Sequence, residues 1–123
     1  MANELSVNFS ASYAKGTIKE KRVEELLAQF TVANSKFYYG VQAIGTSQEA
    51  LVTGEIVAAN LGFYFIKNLD ATNYVKLRSA VAGDFLVRLG PGKFTMGWFE
   101  PSAAPYLIAD TAACNVEVFL VEA

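Results

Sequence analysis

The sequence predicts an all-β protein, an antiparallel sandwich or jelly roll of about eight strands, and three observations carry that reading. Runs rich in aromatic and β-branched residues recur at near-regular spacing through the 123 residues. Clusters of Gly, Pro, Asn and Asp separate them, and these residues favour turns because they adopt unusual backbone angles or bond their own backbone. The length suits a single domain over 1–123 that can bury a core without disulfide staples.

Taken in order, Leu5, Val7, Phe9, Ala11 and Tyr13 alternate with Ser6, Asn8, Ser10 and Ser12, the period-two pattern of a half-buried strand. Asn8-Phe9-Ser10 matches a glycosylation sequon but falls inside that strand, and we read it as strand. Residues 17–32 carry two patterns. Val23, Leu26, Leu27 and Phe30 fit a helical stripe with Lys21 and Glu25 one turn apart, while Ala28, Phe30 and Val32 alternate with polar residues. We expect a short helix near 19–27 followed by a strand over 29–33.

Strands follow over 37–44 and 49–52, then a turn at Thr53-Gly54. Residues 62–67 and 74–78 flank the Asn- and Asp-rich 68–73 and read as a β-hairpin. Strands over 85–89 and 93–99 flank Gly90-Pro91-Gly92, a second hairpin turn. An irregular loop over 100–105 leads to short strands over 106–109 and 113–121.

Composition narrows the function. A net charge of −2, with Lys19, Lys21 and Arg22 neutralised by Glu20, Glu24 and Glu25, gives no field for a polyanion, so nucleic acid is not expected as a partner. No apolar run reaches the length needed to span a bilayer, and no membrane role is expected. The lone Cys114 cannot form an internal disulfide, and with no His a Cys/His zinc site is excluded. Cys114 is best read as a small buried hydrophobe. Met1 to Gly16 shows neither a basic leader nor an apolar signal core, from which we expect folding in a reducing cytosol.

Without His, catalysis would rest on carboxylates, Lys or Tyr. Asp70, Asp84 and Asp110 all fall at turns, where bonds to nearby backbone explain them, and no nucleophile, base and orienting group assemble in the sequence. The reading is a non-enzyme without cofactor or metal. Asp70-Ala71-Thr72-Asn73 lacks the spaced acids and central Gly of a calcium loop, and Gly90-Pro91-Gly92-Lys93 lacks the spacing of a phosphate loop.

The anomaly is aromatic. Phe37-Tyr38-Tyr39, Phe63-Tyr64-Phe65 and Trp98-Phe99 place rings at consecutive positions, and consecutive strand residues point to opposite faces. They cannot all enter one core. These eight residues are therefore candidates for a subunit interface, where aromatics are enriched. A carbohydrate platform built on Trp98 and exposed Tyr is the competing use.

Four segments, ANELSVNFSASYAKG, VQAIGTSQEAL, NLDATNYVKLR and YLIADTAACNVEVFLVEA, run through most of the chain in order and together resemble small virion proteins of tailed bacteriophages. The resemblance implies a non-enzymatic structural protein, a compact β-domain incorporated into the particle in many copies. A decoration or cement protein on the outer capsid surface is the first expectation, and a tail or head-fibre component the second. The charged residues 19–27 depart from that pattern. The expected partners are the major capsid protein and further copies of the chain, as a homotrimer assembled after synthesis in the host cytoplasm.

Overall fold

The computed structural model describes residues 5–15, 18–30, 36–78, 85–99 and 105–122. The chain divides into two compact units, Met1–Ala33 and Asn34–Ala123, where length alone suggests one domain.

The first unit is an antiparallel pair of β1 (Leu5–Lys15) and β2 (Ile18–Phe30). Leu5 is buried and Val7 and Phe9 are half-buried, while Ser6, Asn8 and Ser10 are exposed, as alternation requires. The helix expected near 19–27 is corrected: those residues belong to β2. The register sets Phe30, Ala28, Leu26 and Val23 opposite Leu5, Val7, Phe9 and Ala11, so apolar residues meet apolar residues along the ladder. Between Phe9 and Ala11 the partner jumps from Leu26 to Val23, an extra residue on β2 that marks a bulge. That insertion creates the spacing of three that imitates a helical stripe. Helix propensity differs among ordinary residues by at most about 0.7 kcal/mol each, too little to outweigh the bonds and cross-strand pairs of this ladder.

Among the described residues the second unit holds eight strands: β3 (Phe37–Ile44), β4 (Glu49–Ala50), β5 (Leu61–Asn68), β6 (Val75–Arg78), β7 (Phe85–Leu89), β8 (Phe94–Trp98), β9 (Tyr106–Ala109) and β10 (Cys114–Glu122). They form two four-stranded antiparallel sheets, ordered β3-β10-β5-β8 and β4-β9-β6-β7. The pairings β3 with β10, β4 with β9, β5 with β8 and β6 with β7 are nested, first with last and inward, which is a long hairpin rolled into a jelly roll.

That topology corrects both expected hairpins. The turn over 68–73 joins β5 to β6, and Gly90-Pro91-Gly92 joins β7 to β8, but each pair lies in different sheets. The turn residues are right and the partners are not. Lys93 N–H donates to Gly90 O at 3.0 Å and Gly92 has φ of 72°, a type II turn with Pro91 at its second position and a glycine where φ must be positive.

One side chain fastens these two arches together. Asn68 is fully buried, and its Nδ2 donates to Asn73 O at 2.9 Å and Leu89 O at 3.0 Å, while its Oδ1 accepts from Asp70 N–H at 2.9 Å. A buried amide is tolerated here because its hydrogen-bonding groups find partners. On another edge, Gln42 Nε2 donates to Ala50 O at 3.0 Å and its Oε1 accepts from Val52 N–H at 2.9 Å, tying β3 to the strand segment of the other sheet.

The core lies between the sheets. Ile44, Ile66, Val116, Val118 and Leu120 of one sheet meet Val75, Leu77, Leu89, Leu107 and Ala109 of the other, all nearly or wholly inaccessible. Each of the Val, Leu and Ile side chains contributes about 1.5–3 kcal/mol of burial.

Candidate interaction face

The register of the first sheet sorts its residues into inward and outward rows. Inward rows are Tyr38, Leu120, Tyr64 and Gly97, then Gly40, Val118, Ile66 and Thr95. The outward rows between them are Phe37, Val121, Phe63 and Trp98; Tyr39, Phe119, Phe65 and Met96; and Val41, Glu117, Lys67 and Phe94. Ten of those twelve outward positions are apolar or aromatic, and the other two are Glu117 and Lys67. An antiparallel sheet with one solvated face normally carries polar residues there. This one does not.

The face is open along both edge strands. Phe37 is 68% exposed, Tyr39 58% and Val41 56% on β3, and Phe94 and Trp98 are each 45% exposed on β8. Between the rims the rings lie lower and contact one another. Phe63 meets Trp98 edge to face at 5.8 Å and Phe119 at 6.3 Å, and Phe65 lies 5.7 Å from Phe94. Tyr39 Oη donates to Glu117 Oε2 at 2.5 Å, and that bond, followed by the carboxylate's charge, raises the phenol above its ordinary pKa.

The eight candidate interface residues divide between the two sides. Phe37, Tyr39, Phe63, Phe65 and Trp98 stand on the outward face. Tyr38, Tyr64 and Phe99 pack against the core instead, with the rings of Tyr64 and Phe99 stacked at 4.1 Å. Sequence reading missed Phe94, Phe119, Val41, Met96 and Val121 as members of the same face. The available signal was the alternation of β10, where Glu117, Phe119 and Val121 share one side and Val116, Val118 and Leu120 the other.

The second sheet presents a different exterior. Its outward positions include Lys76, Arg78, Arg88, Tyr106 and Ile108. Arg88 lies 3.8 Å and Lys76 5.6 Å from the centre of the Tyr74 ring, a pair of cation–π contacts on a solvated surface.

The other candidate chemistry is accounted for locally. Asp70 Oδ2 accepts from Asn73 N–H at 2.6 Å and Thr72 N–H at 2.9 Å, and these amides, Asn73 first, hold its carboxyl below the usual range. Cys114 is buried with Sγ near Ala112 O, and burial, then the charges of Asp70 and Asp110, push its thiol pKa up. A thiol so placed is a poor nucleophile. Asp84 lies outside the described residues. Among the described residues no group of three or more Cys, Asp or Glu is placed to hold a metal ion.

Fold and surface together define the class: an all-β jelly roll with one exterior that carries Lys76, Arg78 and Arg88 and one that is apolar. No protein-family model, curated protein or solved structure matches the chain.

Proposed function

We propose that this protein is a structural component of a tailed-bacteriophage particle, a decoration protein on the outer capsid that self-associates and braces neighbouring major capsid subunits. The observation that carries the reading is the outward face of the β3-β10-β5-β8 sheet, apolar at ten of the twelve positions in the three rows that cross all four strands. A lone sandwich gains nothing from such a face, because an antiparallel sheet with one side in water ordinarily carries polar residues there. The four segments that resemble small virion proteins supply the setting.

The mechanism is burial rather than turnover. Apolar area removed from water stabilises a contact by about 25 cal/mol per Å². Association first loses about 4–15 kcal/mol of translational and rotational freedom, so one small contact is weak by itself. Equivalent contacts repeated over a closed lattice act together, which lets a small protein stiffen a large shell.

A fibre component that binds carbohydrate is the second reading, favoured by the exposed rings of Trp98, Tyr39 and Phe94. Copy number separates the two. Quantitative proteomics of purified particles should find hundreds of copies for a capsid protein, and a dozen or fewer would replace the capsid reading with the fibre. A glycan array giving hits that vanish in Trp98→Ala would favour the sugar platform.

A further inference from the structure

A surface can receive its own copy when its charges and bulk are complementary to themselves under a two-fold operation. The register shows that they are. Across one outward row the order from β3 to β8 is Val41, Glu117, Lys67, Phe94, two opposite charges flanked by two apolar side chains. A two-fold axis between stacked sheets, parallel to the strands and midway between β10 and β5, lays β3 over β8 of the second copy and β10 over β5. Glu117 then faces Lys67 of the second copy, and Lys67 faces its Glu117.

The same operation sets Val41 over Phe94, Phe37 over Trp98, Tyr39 over Met96 and Phe119 over Phe65. Each position meets either apolar bulk or the opposite charge. The in-plane axis at right angles to the strands fails this test, because it lays β10 over β10 and sets Glu117 against a second Glu117 or against an apolar row. Like charges brought together, or a charge desolvated without a partner, oppose association.

Resting on the reading of this face as an interface, we infer that two copies of the chain pair through the outward side of the β3-β10-β5-β8 sheet, about a two-fold axis parallel to its strands, with Glu117 and Lys67 of both copies forming an alternating quartet. Sheets packed this way lie about 10 Å apart and cross at about 30°, half on each side of the axis. Four strands about 4.8 Å apart and three rows about 7 Å apart make a patch on the order of 20 Å on a side. Closing two such patches buries on the order of 1,000 Å² in total, near the lower bound for a specific interface. The contact is isologous and closes at two copies, in place of a trimer.

Sedimentation equilibrium of the full chain tests this with a charge exchange. The wild type should be a dimer. Lys67→Glu and Glu117→Lys, each confirmed folded by circular dichroism, should each weaken it by about a hundredfold or more, because each makes all four charges alike. The double variant restores alternation and should recover affinity to within about tenfold. A wild-type monomer or trimer, single variants that still dimerise, or a double variant that stays apart would each overturn the pairing. Should a charge variant misfold, Phe37→Ser at the exposed rim decides: association weakened by about tenfold supports the contact, and an unchanged dimer overturns it. A monomer in solution leaves the virion reading open to its own test, copy number in particles; absence from particles leaves the dimer intact.

Discussion

The two exteriors of the sandwich are built from the same kind of strand and solve opposite problems. On β6 and β7 the outward positions include Lys76, Arg78 and Arg88, the last exposed and the other two half-buried. On β3, β5, β8 and β10 the outward positions carry rings, and the sheet is effectively a second core face, with no further sheet of its own unit upon it among the described residues. Inward residues on both sheets are alike. The outward residues therefore report use, because folding of the jelly roll asks nothing of them beyond strand propensity.

The sharpest way to break that comparison is to change neighbours on opposite sides of one sheet. Leu120→Ala, on the inward side of β10, should destabilise the fold by about 2–5 kcal/mol in chemical denaturation. Phe37→Ser, outward and exposed, should shift monomer stability by no more than about 0.5 kcal/mol while weakening self-association. Equal losses in the two variants would mean that Phe37 belongs to the fold. Next in size is Asn68→Ala, which removes the amide joining both arches and should cost about 2 kcal/mol or more by leaving buried carbonyls without their donor. Arg88→Gln on the basic exterior should cost about 0.5–1 kcal/mol through its contact with Tyr74 and leave association unchanged.

The smallest expected effect concerns pH. Asp70 is held below its ordinary pKa in the folded state, so its contribution is present above the unfolded pKa and is lost as pH falls through the lowered folded value. Thermal melts of wild type and Asp70→Ala should therefore differ near neutrality and converge in acid. A gap that persists at low pH would show that the loop over 68–73 does not depend on that carboxylate.

How much of this was legible in the residues follows from what alternation can and cannot say. Leu5 to Ser10 revealed a strand and its buried side, because a polar set opposed an apolar one. Phe37-Tyr38-Tyr39 and Phe63-Tyr64-Phe65 revealed that some rings must leave the core, but with bulk on both sides nothing local says which. The division of Tyr38 and Tyr64 from Phe37, Tyr39, Phe63 and Phe65 is set by register with β10. Residues 19–27 misled because a bulge stretched a period of two to three between Val23 and Leu26. The turns at 68–73 and Gly90-Pro91-Gly92 were legible as reversals, yet turn chemistry fixes a local backbone path and not the sheet in which the next strand lands. In a rolled hairpin most sequence neighbours lie in opposite sheets. Asn68 gave no warning of its burial, since its partners at Leu89 and Gly90 lie far along the chain.

The claim that the aromatic exterior is the working surface is tested most directly by hydroxyl-radical footprinting of the protein free at high dilution and assembled in particles. Protection confined to Phe37, Tyr39, Met96 and Trp98, with Tyr74 and Tyr106 on the second sheet's side as reactive as before, is the expected result. Unchanged oxidation of Trp98 and Tyr39 on assembly, or protection of the basic exterior instead, would contradict it.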